Sequence, residues 1–239
     1  MFVANLHKSV VNNAIHYNIF TKENKTMHNL NFNSMDNITL YSLAKFVVTE
    51  NFQHHERRYD LNNFEEETES VYEDEISYCN SKVFVSTDNS GGIIGSIRTI
   101  KWNGYDVLPM QKLFYIDPLC FLSDEVTNIW HIGRFAIKHE CDKRSFRLFK
   151  TLMVFALNEV CKSEESVALA ECDSKLLRIL KALGIEAEIL ADPIHYLGSE
   201  TIPVLFKYDT LKKFLNKNYY LLSDTNVLED ISSIVKQSA

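Results

Sequence analysis

The sequence predicts an α/β fold, a mixed sheet flanked by helices, and three observations carry that prediction. Two β-rich runs, Lys82–Ser86 and Ile93–Trp102, flank Asp88-Asn89-Ser90-Gly91-Gly92, a cluster that suits a hairpin turn. The apolar run Asn128–Lys138 is followed by "SFRLFKTLMVFALNEVC", in which Phe149, Leu152, Met153, Ala156 and Val160 recur at helical spacing. "SVALAEC" and "DSKLLRILKALG" then repeat the strand–helix order, as alternating elements of an α/β domain do.

In chain order, residues 1–35 are rich in Asn, His and Lys with weak periodicity and read as a variable arm. "NITLYSLAKFVVTENF", Asn37–Phe52, has apolar residues at mixed three and four spacing and predicts an amphipathic helix. Glu56–Cys79 holds most of the excess acid and reads either as a solvated loop or as a loop that folds over a site. The two hairpin strands come next, then the strand at Asn128–Lys138 and the helix opening at Ser145, its expected N-cap. In "DSKLLRILKALG" the cap is Asp173 or Ser174 and the stop is Gly184. "IEAEIL" and "TIPVLFKY" read as two further strands, "DTLKKFLNK" as a helix and residues 221–239 as a tail. No internal repeat or linker divides residues 36–220, which are expected to form one domain.

Composition narrows the class. The chain has 239 residues, 46% hydrophobic and 24% charged, an ordinary globular balance. No apolar run approaches the roughly 18 residues that span a bilayer, and the first twenty residues interrupt their apolar positions with His, Lys and Asn. A cytoplasmic protein is expected. Five cysteines with no C-x-x-C pair argue for reduced thiols and against a zinc site, and no metal site is expected. A net charge of −7 gives no support for a nucleic-acid partner. P-loop, G-x-G-x-x-G, G-x-S-x-G and H-E-x-x-H patterns are absent from the sequence.

Three features remain that carry chemistry. In "NIWHIGRFAIKHE" an imidazole and a guanidinium, His131 and Arg134, interrupt a buried strand. A buried arginine costs several kcal/mol unless paired, so Arg134 requires a carboxylate or a ligand. Arg98 lies in the preceding strand pair. Lys143, Arg144, Arg147 and Lys150 cluster at the start of the long helix, where free N–H groups and the helix dipole favour a phosphate; the alternative is a solvated basic face.

"GSIRTI", "WHIGRFAI", "KRSFRLFK" and "LLRILKALGIEAEILADPIHYLGSETIPVLF" together resemble the acyl-homoserine-lactone synthase and N-acyl amino acid synthase branch of the GNAT-type acyltransferases, from Glu69 to Phe214. Arg98, Trp130-x-x-x-Arg134-Phe135 and Asp192-Pro193-Ile194-His195-Tyr196-Leu197-Gly198 match its motifs in order. Its E-x-D-x-x-D pattern is half kept, with Glu69 and Asp74 in place and Val71 where an acid is expected. The family's glutamate three residues before the strand arginine is His131 here, and "HIGRF" is also similar to the ornithine-lipid acyltransferases. No R/Q-x-x-G-x-G/A loop lies between Lys138 and Phe146, which shifts weight from acetyl-CoA towards a larger acyl thioester, with acyl-carrier protein favoured as donor.

The resemblance implies a GNAT-like, mostly antiparallel central sheet flanked by helices, and amide formation from acyl-ACP or acyl-CoA with no tightly bound cofactor. His131, Arg134 and Glu69 become candidate catalytic residues, with Arg98, Asp74, Trp130 and Phe135 as candidate substrate-binding residues. His131 would accept the ammonium proton, directly or through water, an α-amino group titrating near ~8 and an imidazole near ~6.5 in model peptides. Backbone N–H around Ile132–Phe135 would polarise the thioester carbonyl. Arg98 and Arg134 would bind the acceptor's carboxylate or, alternatively, pair with Glu69 or Asp74. Lys143, Arg144, Arg147 and Lys150 would meet the donor's phosphate or an acidic carrier protein. Asp192, His195 and Tyr196 read as site residues or as loop geometry around Pro193. Phe146, Phe149, Met153 and Phe155 read as core or as acyl pocket. The expected acceptor is an amino acid or a derivative of one, and a fatty product would bring the protein close to a membrane surface. A lactone-forming signal synthase and a GNAT-like binding module without catalysis are the competing readings.

Overall fold

The computed structural model describes residues 37–55, 61–88, 90–139, 145–196 and 199–223, so the arm and most of the tail lie outside the described residues. Its elements are α1 (Asn37–His55), α2 (Leu61–Ser77), β1 (Ser81–Thr87), β2 (Ile93–Lys101), α3 (Pro109–Phe114) and a 3-10 turn (Pro118–Phe121). After these come β3 (Asn128–Ile137), α4 (Ser145–Val160), β4 (Ser166–Cys172), α5 (Ser174–Ala182), β5 (Glu188–Ile189), β6 (Ile194–Tyr196), β7 (Ser199–Lys207), α6 (Tyr208–Asn218) and α7 (Tyr220–Ser223).

The seven strands form a sheet of order β1-β2-β3-β4-β7-β5, with β6 on β7. Every described pairing is antiparallel except β3 with β4. A parallel pair needs a crossover, which α4 supplies. That helix buries Leu152, Val154, Leu157 and Val160 on the sheet, and α5, α6 and α7 add Leu180, Leu211 and Leu221 to the same core. The opposite face is covered by α1, α2 and α3. Leu43 and Val47 of α1 meet Val85 and Ala136 of the sheet, while Ala44, Val48 and Phe52 meet Val71 of α2, so α1 is apolar on two sides.

Local sequence explains the turns. Asp88 Oδ1 accepts hydrogen bonds from the Ser90 hydroxyl at 2.6 Å and from the Ser90 and Gly92 amides, and these bonds hold its carboxyl below the usual range. Asp173 caps α5 through Leu176 N at 2.6 Å, and Gly184 with φ 83° follows its end. The expected cap Ser145 is the first helical residue of α4.

The sequence reading needs correction in several places. The acidic segment Glu56–Cys79, expected as a loop, contains the helix α2. Phe64, Thr68, Val71 and Glu75 form its inward stripe, with buried Tyr78 just past its end, and because Thr68 and Glu75 are polar the apolar periodicity is too thin to register. The strand expected in "IEAEIL" shortens to Glu188–Ile189, and β6 forms where only a loop motif was apparent.

Core truncation and cap removal test this packing. Leu152→Ala should lower unfolding free energy by about 2–5 kcal/mol and Asp173→Ala by about 1 kcal/mol, both read by urea denaturation. A Leu152→Ala loss no larger than that of the cap variant would contradict the burial of α4.

Candidate active site

Residues three apart on a regular strand point to opposite faces, yet His131 and Arg134 share one. A bulge is responsible: between the pairs Ser96↔Ala136 and Arg98↔Gly133, Arg134 and Phe135 together oppose Ile97. Arg134 adopts φ 51°, a conformation that costs a non-glycine residue of order 1–3 kcal/mol. The Ser96 hydroxyl donates to its carbonyl at 2.8 Å and steadies the bulge. His131 and Arg134 therefore face the side chains of α2, while Trp130, Ile132 and Phe135 join the α4 core. Gly133 lies beneath them. A Cβ there would stand 2.9 Å from His131 Cε1 and 3.2 Å from Arg98 Nη2, so the imidazole and guanidinium lie where any other side chain would begin.

Glu75 of α2 receives both arginines. Arg98 donates through Nη1, and Arg134 through Nε at 2.7 Å, to the same oxygen, Oε1. Arg134 Nη2 reaches Asp74 Oδ2 at 3.3 Å, and Lys112 of α3 reaches Asp74 Oδ1 at 2.6 Å. The Tyr78 ring lies 5.1 Å from the Arg98 guanidinium carbon, and its hydroxyl donates to the Val107 carbonyl at 3.0 Å. On β4, Glu171 Oε2 lies 2.8 Å from His131 Nε2, and His131 Nδ1 lies 3.5 Å from Arg98 Nη2. Burial pulls Arg98 below the ordinary arginine value, with Glu75 opposing it. At Arg134 burial acts the same way but is outweighed by the charge and hydrogen bond of Glu75, which hold its pKa above the ordinary value. Burial, then the Asp74 charge, pushes the Tyr78 phenol up to about 12.

The β3–β4 ladder ends at His131↔Leu169, although both strands continue. A cavity of about 440 Å³ lies at this gap. Asp74, Arg98, Lys112, His131, Arg134 and Glu171 give it a charged side; Met153, Leu176, Leu180, Ile185, Phe206 and Leu211 give it an apolar one. Along Ile132–Phe135 the edge of β3 that faces β4 has no partner in the described ladders. Such an arrangement can admit an apolar chain on one side of the sheet and a polar reactant on the other, with strand amides between them.

The backbone is similar to that of FeeM, an N-acyl amino acid synthase from uncultured soil microbes, with a TM-score of 0.55 at 14% identity over 79% of this chain and 95% of that one. It is also similar to BjaI, a CoA-dependent acyl-homoserine lactone synthase: TM-score 0.52 at 15% identity for the form with MTA, over 80% of this chain and 90% of that one. The form with SAM and isopentyl-CoA gives 0.50 at 16% identity over the same shares. The fold is that of the GNAT-like acyltransferases. The resemblance read in the motifs thus holds at the level of fold, while no family model and no curated protein sequence matches the chain.

Within this GNAT-like fold the predicted residues separate. His131, Arg134, Arg98, Asp74 and Phe135 all line the cavity, Phe135 also packing edge-on against Phe149 at 4.8 Å. Trp130 lies in the α4 core with Lys101 Nζ 6.0 Å from its ring, and it does not line the cavity. Glu69 is exposed on α2; the carboxylates that hold the arginines are Asp74 and Glu75. Arg147 is exposed, and Lys150 is half-buried with its ammonium 5.3 Å from the Phe146 ring, its pKa lowered by burial and by Arg147. Lys143, Arg144, Leu197 and Gly198 fall outside the described residues. Asp192 and His195 are exposed while Tyr196 lines the cavity, and Met153 does so where Phe155 packs on Phe84. Sequence reasoning missed Glu75, Lys112 and Glu171. A lone carboxylate in the apolar run "SVALAEC" is the same signal that singled out His131, and it identifies Glu171. Among the described residues no His, Cys, Asp and Glu group could hold a metal, and no helix is long and apolar enough to cross a membrane.

Glu75→Gln leaves two buried guanidiniums without their shared charge and should cost about 3–5 kcal/mol in urea denaturation; an unchanged midpoint would contradict the pairing. Tyr78 adds a pH test. Its folded pKa, about 12, exceeds the ordinary value of 10.0, so its contribution to stability is present below pH 10 and fades as pH rises towards 12. Tyr78→Phe should reduce the loss of stability over that interval, read from melting temperatures at stepped pH.

Proposed function

We propose that the chain is an N-acyltransferase that moves a fatty acyl group from a carrier thioester, acyl-ACP or acyl-CoA, to the amine of an amino acid or amino-acid derivative in the cytoplasm. The cavity at the end of the β3–β4 ladder carries this reading, because it sets a charged wall and an apolar wall on the two sides of an unpaired strand edge. Residues 36–220 form the acyltransferase domain, with residues 1–35 as an arm and residues 221–239 as a tail whose first residue, Leu221, packs in the domain's core.

In this reading the thioester lies across the gap. Its carbonyl oxygen accepts from backbone N–H within Ile132–Phe135, which stabilises the oxyanion as nitrogen attacks. The acyl chain runs along Phe135, Met153, Leu176 and Leu180, and Trp130 supports that wall from the core. The donor's phosphate, or an acidic carrier protein, meets Lys143, Arg144, Arg147 and Lys150 near the start of α4. The acceptor enters on the charged side, where Arg134 binds its carboxylate and Arg98 holds Glu75 and His131 in place. Its ammonium proton passes to the paired His131 and Glu171. The role expected of Glu69 passes to Asp74 and Glu75, which contact the guanidiniums directly.

Likeness to FeeM supports an amino acid as acceptor, and likeness to BjaI supports lactone formation as the second reading. Lipids extracted from cells expressing the protein, analysed by mass spectrometry, distinguish them. An N-acyl amino acid is expected, a lactone would establish the second reading, and no acylated product from either donor with purified protein would overturn both. Arg134→Ala should lower kcat/KM for the acceptor by about 100-fold, on the scale of a lost charge-assisted pair; a wild-type value would remove Arg134 from the site.

A further inference from the structure

We infer that Glu171 is the direct proton acceptor for the incoming amine and that His131 is a positioning residue which orients it. The inference rests on the acyl-transfer reading above and assigns the proton within its His131–Glu171 pair.

A guanidinium has no acceptor site, so the nitrogen of His131 nearest Arg98 Nη2, Nδ1 at 3.5 Å, is the ring's lone-pair side. The neutral ring then carries its proton on Nε2 and donates it to Glu171 Oε2 at 2.8 Å. Both ring nitrogens are engaged, and the side chain is 1% exposed. The ring fills the space over Gly133, where an added Cβ would stand 2.9 Å from Cε1. An arriving ammonium therefore meets no free imidazole lone pair.

Glu171 is placed differently. It lines the cavity, and its second oxygen, Oε1, is buried with no hydrogen-bond partner among the described residues. A buried carboxylate oxygen left unpaired carries a desolvation cost that a cationic donor removes. A primary ammonium is such a donor. The other groups that act on this position do not fill the role: Arg98 gives Nη1 to Glu75 and turns Nη2 to His131, the Tyr196 phenol is kept protonated by burial, and burial pushes the neighbouring Cys172 thiol up, so it stays neutral. Asp173 is the α5 cap.

The step balances simply. Glu171 Oε1 takes one proton from the acceptor ammonium, and the freed nitrogen lone pair attacks the thioester carbonyl carbon. The C–N bond forms, the C–S bond breaks, the nitrogen gives up a second proton, and the departing sulfur is protonated. The net reaction releases one proton to solvent.

Two measurements on the full-length protein test the assignment. The first is acyl transfer from a fatty acyl thioester to the amine that wild type accepts. Glu171→Gln should lower kcat by about 100-fold or more, with the KM for the thioester near wild type, and its rate should recover as pH rises towards the amine's own pKa. His131→Gln can donate to Glu171 and accept from Arg98, and it should keep kcat within about tenfold of wild type. Equal losses in the two variants, or a wild-type rate in Glu171→Gln, would overturn the inference. The second is ¹⁵N NMR of histidine-labelled protein, with the His131 signal assigned through His131→Gln. An Nε2-protonated ring is expected, and an Nδ1-protonated one would overturn the inference whatever the activity. Wild type that acylates no amine would instead refute the proposed function, while the NMR result still decides the tautomer.

Discussion

Glu75 sits between two guanidiniums with 1% of its side chain exposed, and much of the molecule is arranged around that contact. Taking one carboxylate and two arginines out of water is expensive for each ion, and only close, hydrogen-bonded geometry recovers the cost. That geometry needs α2, β2 and β3 in fixed relation, because each contributes one of the three groups. The contact therefore fastens the α1–α2 layer to the middle of the sheet, where purely apolar packing would allow sliding. It also explains why a segment as acidic as α2 forms a helix: its inward stripe ends in a carboxylate whose partners wait on the sheet.

The bulge at Arg134 follows from the same demand. Without the extra residue Arg134 would point into the α4 core, where no acid could meet it. With it, Arg134 turns to Glu75 at the cost of a left-handed backbone, and that local strain is small beside an unpaired buried guanidinium. The reversal of alternation also puts Phe135 on the α4 side, against Phe149. One irregularity thus aims a charge at one side of the sheet and an aromatic ring at the other, next to the point where β3 and β4 stop pairing. The register shift thus gives Arg134 to the charged wall and Phe135 to the opposite side, beside the open strand edge.

What the sequence disclosed follows the physics of each signal. β1, β2, β3, α4, β4 and α5 were legible because their apolar periods are strong and their turns are marked by Asp88, Asp173 and Gly184. Arg134 was legible as a residue that must be paired, since the cost of burying it alone is independent of the fold. Its partner was not. Glu75 lies in a run with many acids at helical spacing, and nothing local distinguishes the one that turns inward from Glu69, which stays in solvent. The bulge was equally hidden, because a single inserted residue leaves no mark on composition and is defined only by the partner strand. Trp130 entered the candidate site through its place in the Trp130-x-x-x-Arg134-Phe135 motif, which does not show the bulge that separates its face from that of Arg134.

His131 and Glu171 show how such hidden geometry redistributes chemistry. An imidazole in an apolar strand draws attention as a base because its ordinary titration range is suitable. Its chemistry here is decided by neighbours that the sequence places 33 and 40 residues away. Arg98 can only donate, so one ring nitrogen is committed, and that commitment directs the other towards Glu171. The carboxylate of this cavity-lining residue is left with one engaged oxygen and one without a hydrogen-bond partner among the described residues. The arginine that begins this sequence is itself held by Glu75. Pairing in the buried ion cluster and the proposed proton transfer are therefore linked through Arg98, and a change at Glu75 would reach Glu171 through three contacts, Glu75–Arg98, Arg98–His131 and His131–Glu171, without touching the substrate.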